Sequence, residues 1–261
     1  MANIGDKKFT HIYQGNNLIL EDNQETKDIK IGDKKIDFVF QGNKVLYPNP
    51  IIDKLVLWYD FKSLNNTSFN NDIAKDLSNN SDGTLRNFSY TDGSGYDNGL
   101  EFDGIDDYIS LDTGLGKNFT ISTTIDINDI ANNYILSSTS VYFFIRKSGY
   151  NLDLSILNSE GRQELFRATN FFVGFLNKKI NISYVVNSDD KKVYMYINES
   201  LYTTFNMEAD ARSNMKVTGI GIWNNNYFFK GSLYSLKIHD KSLTNEEIKH
   251  NYNLEKERWN L

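Results

Sequence analysis

Two segments, "GLEFDGIDDYISL" at 99–111 and "GSLYSLKIHDKSLTNEEIKHNY" at 231–252, bracket a long stretch of strand-patterned chain and constrain what it can fold into. The first holds a short apolar run (Leu100, Phe102), a turn pair (Asp103, Gly104) and a second run (Tyr108, Ile109, Leu111). That order predicts a reversal between two strands. The second segment predicts a strand running into a capped helix. Thr244 is placed as N-cap with Glu247 three residues on, a capping box, and Leu243 and Ile248 stand where a hydrophobic staple would sit.

Between the brackets the alternation has period two. In "NFTISTTIDIND", Phe119, Ile121, Thr123, Ile125 and Ile127 share one face, and Thr120, Ser122, Thr124 and Asp126 the other, so one face is expected in the core and one in water. In the chain from Lys179 to Phe205, Ile180, Ile182, Tyr184 and Val186 lead to a polar turn at 187–192. The return runs through Val193, Met195 and Ile197 to a tight turn at Asn198 and Glu199. Evenly spaced short strands with a single convincing helix argue for an all-β, antiparallel two-sheet sandwich with a short C-terminal helix. Its first strand is expected near Leu55–Phe61 and its last near Leu233–His239, side by side.

These segments resemble the laminin G-like, concanavalin A-like jelly roll, whose members carry "L-x-F-D-G-x-D-D-Y-V" early and a last strand entering "D-x-x-L-x-x-x-E-I" and a short helix. "LVLWYDFKSLNN" is similar to that family's opening strand. "AKDLSNNSDGTL" is similar to its "D-x-S-G-N-x-x-D-G-x-L" loop, through Asp76, Ser78, Asn79, Asp82, Gly83 and Leu85. The likeness covers about residues 53–261. Asn80 stands beside the place of a common family glycine, and Tyr234 where many members have Asp. The resemblance implies a jelly-roll sandwich of lectin or glucanase type.

The first fifty residues are a different kind of sequence. "IGDKKFTHIYQGNNLIL" (4–20) aligns without a gap with "IGDKKIDFVFQGNKVLY" (31–47), and eight positions are identical. Each copy reads as a short strand, a Gln-Gly-Asn turn and a returning apolar strand, a small hairpin. Such hairpins bury little surface alone, so they are expected to pack on each other, on the large domain or on another protein. Pro48 and Pro50 mark a joint, which divides the chain into 1–50 and 51–261. The repeat serves either as a duplicated structural clip or as a docking module. Short "K-x-x-x-V-Y-x-G-N-K-x-V-Y" units of this kind resemble those at the front of bacteriophage tail and fibre proteins.

With 39% hydrophobic and 14% aromatic residues, 261 residues can bury one large β core. A formal charge of −6 with no clustered Lys or Arg argues against nucleic acid as a partner. The absence of cysteine removes disulfides, thiolate metal sites and thiol nucleophiles. No run has the apolar length of a transmembrane helix, and "MANIGDKKFTHIYQ" lacks a signal-peptide stretch. If the chain begins at its natural start, export by the usual route is not expected.

Catalysis finds little support. No "E-x-D-x-x-E" strand offers the paired carboxylates of a glycan hydrolase, no Ser lies in a Gly-x-Ser-x-Gly elbow, and His11, His239 and His250 are dispersed. His239 is expected on the solvent face of the last strand or on a local carbonyl. A calcium site is conceivable at Asp76, Ser78, Asn80 and Asp82, with Asp103 and its neighbours Asp106 and Asp107 completing the shell. The alternative is an Asx-rich turn bonding its own backbone, with Asp106 and Asp107 in solvent.

Glycan binding needs aromatic platforms beside amides and carboxylates. Two loops have that mixture: Trp223, Asn224, Asn225, Asn226 and Tyr227, and the set Tyr90, Asp92 and Tyr96. Against this stands a core role for Trp223 and Phe229, with the asparagines only turning the chain. The leading functional expectation is a non-enzymatic bacteriophage virion protein, assembled in the host cytoplasm, that contacts other virion proteins through 1–50 and host-cell glycan through its sandwich. A carbohydrate-binding module of a secreted or surface bacterial protein is the alternative, and a degenerate hydrolase a third.

Overall fold

The strand Lys230–His239 organises the large domain. In the computed structural model, one side of it pairs antiparallel with Phe119–Asp126. The other side pairs with two strands end to end, Leu100–Asp103 along its first half and Leu55–Asp60 along its second. The expected neighbours at the two ends of the domain are therefore bonded, Trp58 opposite Lys237 and Tyr59 opposite Leu236. The structure describes residues 51–261 except 68–69, 92, 128–131 and 139–142, together with residues 38 and 48–50 and the backbone of the strands before residue 48.

The chain divides into Met1–Pro50 and Ile51–Leu261. In the first unit, His11–Gln14 pairs with Asn17–Glu21 and Val39–Gln41 with Lys44–Tyr47, one hairpin for each copy of the repeat. The Gly-Asn pairs of the turns, 15–16 and 42–43, lie outside the described residues. Two further small ladders precede them, Ala2–Ile4 with Lys7–Phe9 and Lys30–Ile31 with Lys34–Lys35.

The second unit is an all-β sandwich of two antiparallel eight-stranded sheets, as a jelly roll requires. One sheet carries, in order, Gly95–Tyr96, Leu100–Asp103, Lys230–His239, Phe119–Asp126, Ile180–Asn187, Lys192–Ile197 and Ser200–Asn206, with Leu55–Asp60 beside Lys230–His239. The other runs Ile73–Ala74, Gly83–Arg86, Tyr108–Leu115, Met215–Ile220, Asn133–Ser137, Phe144–Ser148, Asn151–Leu157 and Gln163–Ala168. Their inner faces meet in one cluster to which Ile121, Tyr184, Met195 and Ile238 contribute from the first sheet and Ile109, Leu152, Leu154 and Val217 from the second. Each such side chain removed from water contributes about 1.5–3 kcal/mol.

Several expectations are corrected here. Leu100–Asp103 and Tyr108–Leu115 do not pair as a hairpin, because each belongs to a different sheet. The "FDGIDD" turn is the arch between them. Asp103 accepts from the Ile105 N–H at 2.7 Å, and Asp107 accepts from the Asp103 N–H at 3.0 Å and from Ser94 Oγ at 3.1 Å. Asp107 is thus buried inside the arch, not solvated.

The polar face of Phe119–Asp126 is also not in water. Thr120, Ser122 and Thr124 are all buried: Thr120 bonds the Lys241 carbonyl and the Leu243 N–H, Ser122 bonds Ser183, and Thr124 lies against the C-terminal helix Asn245–Trp259. That helix begins with the expected capping box, Thr244 Oγ1 accepting from the Glu247 N–H and Glu247 Oε2 from the Thr244 N–H at 2.9 Å. Leu243 and Ile248 are buried in one small cluster with Val185 and Tyr196. From the helix, Glu255 accepts from Thr124 Oγ1 at 2.8 Å and pairs with Lys237 and Ser235, while Arg258 pairs with Asp60. His239 is buried as well, its Nε2 2.8 Å from the carbonyl of Ile51, so the solvent-face expectation fails while a carbonyl contact, distant in sequence, is present. The domain also holds a short apolar helix, Phe171–Phe175, with Phe171 and Phe172 in the core.

Candidate functional site

Trp223, Asn224, Asn225, Asn226 and Tyr227 form the tip of a two-stranded hairpin in which Ile222 pairs with Phe228 and Trp223 with Tyr227. Asn224 and Asn225 both adopt left-handed backbone, φ 52° and 53°, which asparagine tolerates better than most residues. Asn226 closes the loop through its N–H to the Trp223 carbonyl and its Nδ2 to the Asn224 carbonyl. The asparagines do turn the chain, and all three also remain exposed. At the base, the Gly221 N–H donates to Ile135 and the Lys230 N–H to Asn133 Oδ1, fixing the hairpin against the strand Asn133–Ser137. Gly221 has φ +83°, and a Cβ there would meet the Phe102 ring at 2.7 Å, so this hinge needs glycine.

Fixing the hairpin lays Trp223 flat on Tyr134, with centroids 4.8 Å apart and planes at 10°. Tyr227 leans on both rings, at 5.6 Å from Tyr134 and 5.7 Å from Trp223, and is 42% exposed. Phe229 belongs to the core, whereas Trp223 is half-buried at the surface of this ring cluster.

The aromatic cluster continues as a charged row. Register places Tyr134 opposite Arg146, Arg146 opposite Asp153 and Asp153 opposite Arg167, so four adjacent strands present these side chains on one outer face. Arg146 lies 4.8 Å from the Phe144 ring and donates Nη1 to the Tyr134 hydroxyl at 2.9 Å and Nε to Asp153 at 3.1 Å. Arg167 donates Nε and Nη2 to the same carboxylate, each at 2.8 Å. Leu165, opposite Ser155, is exposed on the same face. None of Tyr134, Phe144, Arg146, Asp153 and Arg167 stands out in the sequence, because only strand register assembles them.

Elsewhere the expected sites resolve differently. Tyr96 is a core ring, stacked at 6.3 Å on the half-buried Tyr90 and contacting Phe61, and both tyrosine hydroxyls donate to the Asn71 carbonyl. That pairing leaves Tyr96 no open face, correcting its place among the ligand contacts. Asp92 lies outside the described residues.

The loop of Asp76, Ser78, Asn80 and Asp82 does not fit a cation. The buried Asp76 carboxylate accepts from the N–H groups of Trp58, Ser78, Asn80 and Ser81 at 2.8–2.9 Å and from Ser78 Oγ. Asp82 in turn accepts from the Asp76 N–H and pairs with Lys75. Donors, not a metal, take these lone pairs. Among the described residues the carboxylates that converge are Asp103, Asp106 and Asp107, with oxygens within 4.8 Å of one another. Burial raises the Asp107 carboxyl to about 6, against the bonds from Asp103 and Ser94.

No family model and no curated protein matches the chain. Solved structures do. The sandwich is similar to the binding domains of botulinum neurotoxin. The serotype D binding domain matches with a TM-score of 0.57 and 17% identity over 78% of this chain and 52% of that one. The serotype D ligand-binding domain in complex with N-acetylneuraminic acid matches with a TM-score of 0.57 and 15% identity over 77% and 51%. A third, binding domain DC in complex with SialylT, gives 0.55 and 14% over 78% and 52%. The chain spans about half the length of these neighbours, and at such identities the likeness establishes the fold.

Proposed function

We propose that residues 51–261 form a non-catalytic, lectin-like domain that binds glycan on the face built by Trp223, Tyr227 and Arg146, with the buried Tyr134 ring beneath them. The observation that carries this reading is the pair Trp223 and Tyr227 held at the surface by the buried Tyr134 ring, with three exposed asparagine amides on one side and a guanidinium on the other. Sugar C–H faces stack on such rings while hydroxyls exchange hydrogen bonds with amides and guanidinium. The similarity to binding domains solved with N-acetylneuraminic acid and SialylT supports it from outside the chain. No cofactor enters the proposal.

The setting we propose is the surface of a bacteriophage particle, as part of a tail, fibre or other oligomeric component, with the duplicated hairpins of 1–50 docking to other virion proteins. The support is the gapless repeat ahead of a proline-marked joint. A secreted or cell-surface bacterial protein is the second reading, favoured by the likeness to toxin binding domains. A glycan array with the full chain tests the binding. Wild type is expected to retain a defined subset of glycans and the double variant Trp223→Ala, Tyr227→Ala to lose it. Equal retention by both would refute the site. Detection of the chain in purified particles by mass spectrometry, against detection in culture supernatant free of particles, decides the setting.

A further inference from the structure

Resting on the reading above, we infer that this face selects acidic glycans, with Arg146 and Arg167 receiving the carboxylate of a sugar whose ring stacks beside Trp223 and Tyr227. The row Arg146–Asp153–Arg167 carries two positive charges and one negative, and depth separates them. The Asp153 side chain is fully buried, whereas those of Arg146 and Arg167 are 26% and 41% exposed. The charge that reaches solvent is therefore positive, on a chain whose formal charge is −6.

The buried carboxylate also sets the orientation. It accepts Nε of Arg146 and both Nε and Nη2 of Arg167, so two guanidinium planes are held by one anchor. A guanidinium has five N–H donors, and the bonds to Asp153 and Tyr134 engage two on each arginine. The remaining donors are pre-positioned for a second carboxylate, the geometry in which arginine outperforms lysine. Phe144 and Tyr134 beneath Arg146 hold its cation over aromatic faces, 4.8 and 5.6 Å from the ring centroids. A neutral sugar would engage the rings and amides equally well but would leave this charge unanswered.

The test uses the full chain and four probes: sialyllactose and a hyaluronan tetrasaccharide, which carry carboxylates, and lactose and chitotriose, which do not. Wild type is expected to bind at least one acidic probe about tenfold or more tighter than either neutral one, the size of one charge-assisted hydrogen-bond pair. Raising salt from about 50 to about 500 mM should erode the acidic binding and spare the neutral. Arg167→Gln, which leaves Asp153 its bond to Arg146, should lose about tenfold on the acidic probe and under about twofold on a neutral one. Lys249→Gln on the C-terminal helix makes the same charge change and should alter neither.

Neutral probes bound as tightly as acidic ones, with Trp223→Ala abolishing both, would overturn the selectivity and leave the glycan site standing. Equal losses on acidic and neutral probes in Arg167→Gln would overturn it too, showing Arg167 to be structural. No binding to any of the four, with wild type still retaining other glycans on the array, would overturn the inference alone, and no retention on the array either would remove it together with the reading beneath it.

Discussion

Replacing Asp76 by alanine should destabilise the sandwich by about 4 kcal/mol, and the estimate follows from who loses a partner. The Asp76 carboxylate is fully buried and accepts four backbone N–H bonds. The bond from Trp58 lies in the interior, and stranding that donor costs about 2 kcal/mol. The N–H groups of Ser78, Asn80 and Ser81 are part-buried and can turn partly to water, so each costs about 0.5–1 kcal/mol. Against a typical domain stability of about 5–15 kcal/mol, this is a large fraction. Urea unfolding followed by tryptophan fluorescence measures it. Asp76→Asn keeps one acceptor oxygen and turns an NH2 toward donors, so it should recover less than half the loss. Because N–H donors occupy the lone pairs, millimolar calcium or a chelator should leave the wild-type midpoint in place. A loss under about 1 kcal/mol in Asp76→Ala, or a calcium-dependent midpoint that Asp76→Ala abolishes, would refute the reasoning.

Asp107 gives a pH signature. Its folded-state carboxyl stands at about 6 against 3.8 for the free group, so the folded chain takes up this proton first on acidification. Its ionisation costs stability above pH 6, by about 3 kcal/mol, and that cost fades as pH falls toward 4. The stability gap between Asp107→Asn and wild type should therefore favour the variant more at pH 8 than at pH 4, and a gap independent of pH would contradict the assignment. Glu255→Ala should cost about 3–5 kcal/mol in chemical unfolding, because it strands Lys237 in a dry layer; a loss under 1 kcal/mol would mean that water reaches the pair. Removing residues 1–47 should leave one cooperative calorimetric transition for the remainder, whereas loss of that transition would place the hairpins in the core.

How much of this was legible depended on the range of the interaction. The Thr244–Glu247 box is local, and the sequence displays it whole. The pairing of Leu55–Asp60 with Lys230–His239 spans the domain, yet the family resemblance pointed to it. The Asp103–Gly104 turn was legible as a turn, but a turn does not say whether its strands stay in one sheet. Burial of Asp107 inside the arch decided that. Ser122 and Thr124 read as solvent-facing because hydroxyls usually are, and partners distant in sequence make their burial tolerable: Ser183 on the neighbouring strand for Ser122, and Asn181 and the helix residue Glu255 for Thr124. Trp223 and Tyr227 were legible as a platform. Arg146, Asp153 and Arg167 were not, since three separate strands must align in register before they meet.

That same distribution of polar groups says where a ligand can sit. Each sheet of the sandwich has one inner face consumed by the core, which leaves two outer faces. On the first sheet, the C-terminal helix covers the outer face of the central strands and anchors itself there through Glu255 to Thr124 and Lys237, and through Arg258 to Asp60. Breaking a buried pair of this kind costs several kcal/mol, so a ligand competing for that face would have to supply more than the helix does. On the second sheet, the outer face of Asn133–Ser137, Phe144–Ser148, Asn151–Leu157 and Gln163–Ala168 carries Arg146, Leu165 and Arg167 at the surface, with the Trp223 hairpin at its edge. Rings and guanidinium groups there are fixed by contacts beneath them, so a ligand meets a face already ordered and loses less entropy on binding. The binding face proposed for this chain follows from where the helix is not.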